Sequence, residues 1–382
     1  MNKNKKKNID IPISTLIISF TAIIVTTGLY TLVSKQQSSE NNQAIVIDET
    51  NKTNLNIGTN NLSETQQKIQ NQIVEQSINL INQDENSEIK NNIINLVKQR
   101  NLPLDKLSFS MINLSEDSCP QIKQGGYFCY ISYQDQTPRY PASIVKLFWM
   151  VSAYQQNPNP NEELTKQLEG MIIDSDNEAS SMVVDAITNT KSSNEKLPNQ
   201  EFQQWKSNRD YLNEYFAPRG FQNINISQKT FPIPYLNMNM PEGSDLQLRH
   251  PNGEEKPFRN YLTSYSVALL LFQIYDEQYF QGSNEMLSLL KRDLNPSAWQ
   301  NVPYNAIEGF LGQGVPDKNA QFYSKMGWTF SSRNDSAIVI DSENNIKYIF
   351  VIFGDDPAFY HDKTFFPEVS DMIYHQILKT SK

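Results

Sequence analysis

From Ile144 to Val151 a single residue is not apolar, Lys146. A helix apolar on every side belongs in the centre of a core. Burial penalises an ammonium, so a lysine there loses part of its basicity. Three residues earlier stands Ser143, and positions three apart share a helix face. A serine hydroxyl is a weak nucleophile at neutral pH and needs a base beside it. A buried Lys146 can be that base, whereas a lysine at its ordinary pKa of about 10.4 stays protonated. Alone the pattern is weak. Ser-x-x-Lys arises by chance, and a helix-start serine with a surface lysine is the plainer reading.

Two further clusters carry chemistry. Ser175-Asp176-Asn177 interrupts a helical stretch from Leu164 to Ala186. A hydroxyl and a carboxamide there can relay a proton and bind an amide. On its own the cluster reads more simply as a helix cap, since Ser and Asp are good N-cap residues. Lys325-Met326-Gly327-Trp328 lies on a predicted strand. The lysine offers charge to a carboxylate, and the glycine allows backbone or substrate to come close. Its plain reading is an ordinary edge-strand lysine.

The spacing of apolar residues orders the elements around these clusters. Ile89, Ile93, Leu96 and Val97 predict a helix that ends before Asn101-Leu102-Pro103. Strands are predicted over Leu107–Leu114 and Gly126–Tyr133, then the apolar helix from near Ser143. Residues 232–257, rich in Pro, Asn and Gly, read as a long loop, and Leu262–Gln273 as a helix. A strand over Gln321–Gly327 and a hairpin of Ala337–Ile340 with Tyr348–Phe353 follow. A helix from Pro367 closes the chain. Helix, strands, helices, strands, helix describe an α/β (α+β) sandwich with a largely antiparallel sheet and an inserted helical block.

Three clusters in this order and setting resemble the class A β-lactamase and penicillin-binding-protein superfamily of serine hydrolases. The flanks Tyr140-Pro141-Ala142, Glu178-Ala179 and Arg333-Asn334-Asp335 are similar too. The likeness spans about Ser87 to Lys382. It implies a β-lactamase/transpeptidase-like fold, an antiparallel sheet flanked by terminal helices plus an all-helical subdomain. It also implies an acyl-enzyme on Ser143, with Lys146 taking the proton and Ser175 passing one to the leaving nitrogen. Asn177 would contact substrate and Lys146. Lys325 would attract a substrate carboxylate. The N–H groups of Ser143 and Trp328, beside Gly327, would form the oxyanion hole. The implied partner is a small β-lactam or peptidoglycan-like substrate, and no cofactor or metal is called for. Hydrolysis of the acyl group and its retention by a penicillin-binding, sensing or peptidase-like protein both stay open.

The chain departs from the family pattern in three ways. Ser143 and Ser175 are close together, and Ser175 and Lys325 far apart. Ile233 stands where Ile233-Pro234-Tyr235-Leu236-Asn237 matches the loop that supplies a deacylating glutamate; Glu242, Glu254 and Glu255 are the substitutes within reach in sequence. Met326 replaces a hydroxyl that helps to hold the substrate carboxylate, with Ser324 and Thr329 as candidates to compensate.

The N-terminus has its own pattern. Lys3, Lys5, Lys6 and Lys7 precede Ile11–Val33, a run without charge. Such a run is long enough to span a bilayer, and the basic flank keeps the N-terminus inside. The expectation is residues 1–35 as basic tail and membrane signal anchor, rather than a cleaved signal peptide, and 36–84 as a polar stalk with a helix over about Glu64–Asn82. Residues 85–382 would then be an extracytoplasmic hydrolase domain. A net charge of −9 opposes nucleic-acid binding. Cys119 and Cys129 are the only cysteines. They are either inert thiols or, outside the cytoplasm, a disulfide. His250, His361 and His375 have no metal-site spacing.

Overall fold

The computed structural model describes residues 79–82, 87–115 and 127–380. By its contacts the chain forms two units, Met1–Leu62 and Ser63–Lys382, and every described residue belongs to the second.

Seven strands build one sheet among the described residues: β1 (Asn79–Asn82), β2 (Leu107–Asn113), β3 (Tyr127–Tyr133), β4 (Lys291–Arg292), β5 (Gln321–Thr329), β6 (Ser332–Asp341) and β7 (Ile346–Gly354), in the order β1-β3-β2-β7-β6-β5-β4. All neighbours are antiparallel except β1 with β3. The predicted strands are present, and the hairpin of β6 and β7 is longer than its apolar segments indicated. Asn79–Asn82, expected at the end of a helix, is instead an edge strand beside β3.

Two apolar layers enclose the sheet. Against one face pack α1 (Glu88–Gln99) and the C-terminal helix α9 (Phe365–Thr380), through Ile93, Val97, Val369 and Ile373 among others. The opposite face meets the helical block: α2 (Lys146–Gln156), α3 (Glu162–Ile172), α4 (Asn177–Thr188), α5 (Asn199–Phe216), α6 (Gly243–Arg249), α7 (Ser264–Tyr275) and α8 (Ser283–Leu290). This is the sandwich with an antiparallel sheet, flanking helices and a helical region that the element order predicts.

At the centre of the block is α2. Every residue from Lys146 to Tyr154 is buried, and the Trp149 indole donates to the Ile226 carbonyl at 2.8 Å. Its apolar circumference therefore puts Lys146 in the interior. Three helices of this block were not legible, α5, α6 and α8. The long loop of residues 232–257 contains α6, whose core side chain is Leu248. The 18-residue α5 turns Phe202, Arg209, Leu212 and Phe216 inward. An arginine at a core position broke its apolar period. It fits because the guanidinium meets Asp245 at 3.3 Å and the Thr190 hydroxyl at 3.0 Å.

The membrane expectation is corrected. No helix among the described residues is long and apolar enough to cross a membrane. The run Ile11–Val33 that suggested an anchor lies outside them, as does most of the expected stalk. The signal anchor, the membrane as partner and the extracytoplasmic location rested on that run alone, and none is retained. Cys129 takes part in a disulfide. Cys119, the other cysteine of the chain, lies outside the described residues.

Candidate active site

Ser143 sits in a short 3-10 turn, Ala142–Val145, that runs into α2. It is half-buried, while Ala142, Ile144 and Val145 around it are buried. Ala142 has φ +47°, a left-handed conformation that a residue with a Cβ adopts rarely. Such backbone costs about 1–3 kcal/mol and persists where the surroundings impose it.

The surroundings here are β5. A Cβ built on Gly327 would lie 2.5 Å from the Pro141 carbonyl oxygen and 2.7 Å from the Ser143 nitrogen. Only a glycine lets the strand lie this close to the turn. Beyond Phe322 and Tyr323, which pair with β4, this edge of β5 has no strand neighbour among the described residues and receives the turn. Trp328 follows Gly327 on the same strand.

Lys146 is fully buried. Its ammonium donates to the Ser175 carbonyl at 2.6 Å and the Asn177 Oδ1 at 3.0 Å, with longer contacts of 3.4 Å to the Ser175 hydroxyl and the Asp176 carbonyl. Its hydrogen bonds thus go to the second cluster rather than to Ser143. Burial lowers its pKa to about 7, against a smaller opposing pull from Asp176. Lys325 is buried as well. It donates to the Ser175 hydroxyl at 2.9 Å and to the Met326 carbonyl at 3.0 Å. Burial first, then the charges of Lys146 and Arg292, push its pKa well down, and Asp335 opposes them.

The cap reading of the second cluster is observed, and its polar groups also meet the two lysines. Asp176 caps α4, its carboxylate accepting from the Ala179 N–H at 2.6 Å. Ser175, before it, is held at φ +57°. That conformation turns its hydroxyl to Lys325 and its carbonyl to Lys146. Asn177, the first residue of α4, completes the set.

Two groups joined the site without a sequence signal. Asp335, quoted only as a flank, is buried under the sheet and accepts from the Leu311 and Ser336 N–H groups at 2.9 and 2.8 Å. Burial raises its pKa to about 6, against those bonds and the nearby Lys325 and Arg292. Arg292, on β4, donates to the Ile172 carbonyl at 2.9 Å. A charged residue on a two-residue strand leaves no periodic trace.

Ile233 is fully buried and bridges Met238. Two residues on, the Tyr235 N–H donates to the Glu178 carboxylate at 2.5 Å, and the Tyr235 hydroxyl is 3.1 Å from that of Ser181. Glu178 and Ser181 share a face of α4, which holds this loop against the second cluster. Glu242, Glu254 and Glu255 are exposed and are not brought into the Lys146–Ser175–Lys325 set. Of the groups proposed to compensate for Met326, the Ser324 hydroxyl is buried without a partner. The Thr329 hydroxyl lies 3.0 Å from those of Ser331 and Ser332.

Comparison with known proteins adds a decisive match. The profile of the beta-lactamase enzyme family matches residues 157–377, more than half of the chain. The chain belongs to this family. The matched region of this beta-lactamase family member includes Ser175 and Lys325 and begins after Lys146. Among solved structures it is similar to PBP-A, with TM-score 0.51 and 16% identity over 79% of this chain and 98% of that one. It is also similar to a variant of the TLA-1 extended-spectrum beta-lactamase (0.51, 10%, 76% and 98%). A beta-lactamase from Chitinophaga pinensis is a third neighbour (0.50, 11%, 76% and 100%). At these identities the likeness is one of fold. No curated protein sequence is significantly similar to this chain.

Proposed function

We propose that the protein is a serine hydrolase that forms an acyl-enzyme on Ser143 with β-lactams or related amides. The observation that carries this is Lys146. It is buried beneath the Ser143 turn, tied to Ser175 and Asn177, with a pKa lowered to about 7. A base poised near the working pH is what general-base catalysis needs.

In this reading the Ser143 Oγ attacks the substrate carbonyl carbon, and its proton passes to the neutral Lys146 amine. The carbonyl oxygen gains charge and is met by the N–H groups of Ser143 and Trp328. The C–N bond then breaks. The leaving nitrogen takes a proton through the Ser175 hydroxyl, which is in reach of both lysine ammoniums. The ester on Ser143 remains for water to cleave.

A second reading concerns that last step. Ile233, buried and apolar, supports an ester that persists, as in a penicillin-binding protein. A penicillin adduct that maps to Ser143, followed over time, tests both.

A further inference from the structure

Arg292, on β4, holds two helix ends at once. Its Nη2 donates at 2.9 Å to the carbonyl of Ile172, the last residue of α3. Its Nη1 donates at 2.8 Å to the Leu289 carbonyl, in the last turn of α8, and at 3.0 Å to the Lys291 carbonyl. Carbonyls at a helix C-terminus lack intrahelical donors and attract a cation. A guanidinium meets two of them with separate nitrogens in one plane, whereas an ammonium has a single nitrogen.

These bonds lie on a closed path between Ser175 and Lys325. The β4–β5 ladder pairs Arg292 with Phe322 and Lys291 with Tyr323, and Lys325 follows two residues on along β5. On the other side, Ile172 leads through Ile173 and Asp174 to Ser175. The Asp176 N–H then returns to the Gly170 carbonyl at 2.9 Å, which ties this turn to α3. The 2.9 Å bond from Lys325 to the Ser175 hydroxyl closes the ring. In that ring the guanidinium carries the step from β4 to α3.

The arrangement has a cost. The Arg292 Nε is buried with no hydrogen-bond partner among the described residues, and burial pulls the pKa of the group down to about 10. A polar group kept at such a cost calls for an explanation beyond packing.

We infer that Arg292 is a positioning residue that sets Ser175 against Lys325, so that the Ser175 hydroxyl delivers a proton to the leaving nitrogen. The inference rests on the acyl-enzyme reading of Ser143 and concerns the step at which the C–N bond breaks. There the nitrogen keeps the electron pair of the broken bond and needs a proton. Ser175 gives it and is replenished by Lys146, which holds the proton taken from Ser143. A thioester has no such need, because a thiolate leaves with its electron pair and no proton. In both cases the Ser143 Oγ forms the new bond to the carbonyl carbon.

The test compares full-length wild type with Arg292→Met, which removes the buried charge at similar length, and with Arg292→Lys, which keeps the charge. Each is mixed with benzylpenicillin and with the thioglycolate thioester of phenylacetylglycine, and ester formation on Ser143 is timed by intact-mass spectrometry. Both variants are expected to react with the penicillin at least about tenfold more slowly and with the thioester at close to the wild-type rate. A positioned acid is worth about 10²- to 10⁴-fold only where a proton is required. The ratio of the two rates is the readout, since partial unfolding lowers both alike. A ratio unchanged from wild type in either variant overturns the inference. If the wild type reacts with neither compound, the acyl-enzyme reading falls instead, and crystal structures of wild type and Arg292→Met decide the positioning. A Ser175–Lys325 bond intact in the variant overturns it, and an opened one upholds it.

Discussion

The Lys325 ammonium lies 2.9 Å from the Ser175 hydroxyl, although 150 residues separate the two in sequence. Lys146, on α2, approaches the same serine and donates to its carbonyl at 2.6 Å. Ser175 therefore joins two buried amines that would otherwise repel each other. Each amine is buried, and each loses basicity mainly for that reason. The chemistry proposed for Ser143 follows from this pairing, and its consequences can be measured.

Lys146→Ala is expected to slow acylation of Ser143 by about 10²- to 10⁴-fold, the usual share of a positioned base. Circular dichroism should report an intact fold, since the variant also removes a costly buried amine. Acylation at the wild-type rate would show that another group takes the proton.

The acylation rate should depend on pH through Lys146. Only the neutral amine accepts a proton, so below about pH 7 the rate should fall about tenfold per unit and above it level off. Stability carries the same sign. Between about 7 and the ordinary value of 10.5 the unfolded chain holds a proton that folded Lys146 lacks. This residue's contribution to folding therefore improves as pH rises through that window. Single-turnover rates against pH check the first statement, and a rate flat from pH 5 to 9 would refute it.

Gly327→Ala should disable the site while leaving both lysines in place. The new methyl would meet the Pro141 oxygen at 2.5 Å and the Ser143 nitrogen at 2.7 Å, neither of which can yield without moving the turn. The expected result is a loss of acylation of at least about 10²-fold, the scale set by losing an oxyanion donor. The melting temperature should fall too. A variant that acylates normally would mean the strand can retreat at no cost to the site.

Ile233→Glu should destabilise the protein rather than endow it with a deacylating base. The side chain has no exposure, and an unpaired carboxylate there costs several kcal/mol or stays protonated. Thermal melts should show the loss, and the lifetime of the adduct should stay that of the wild type. A folded variant with a much shorter lifetime would mean that this position reaches the ester.

Much of this fold was written in the periodicity of the chain. Ile89, Ile93, Leu96 and Val97 mark α1, and the all-apolar circumference around Lys146 marks α2. The losses have physical reasons. Arg209 interrupts the apolar stripe of α5 because its burial is balanced by Asp245, a partner that no local window contains. Asn79–Asn82 takes its strand conformation from β3, again a distant neighbour. In the site, the motifs predicted which residues would converge. The closeness of β5 to the Ser143 turn and the burial of Asp335 depend on tertiary contacts.

The central claim is that Ser143 is the acylated nucleophile. Full-length protein mixed with benzylpenicillin, sampled over time by intact-mass spectrometry and mapped by peptide digestion, tests it most directly. The account predicts one adduct of the drug's mass on the peptide that contains Ser143, absent from Ser143→Ala and strongly slowed in Lys146→Ala. An adduct on another residue, or acylation that proceeds unchanged in Ser143→Ala, would contradict it.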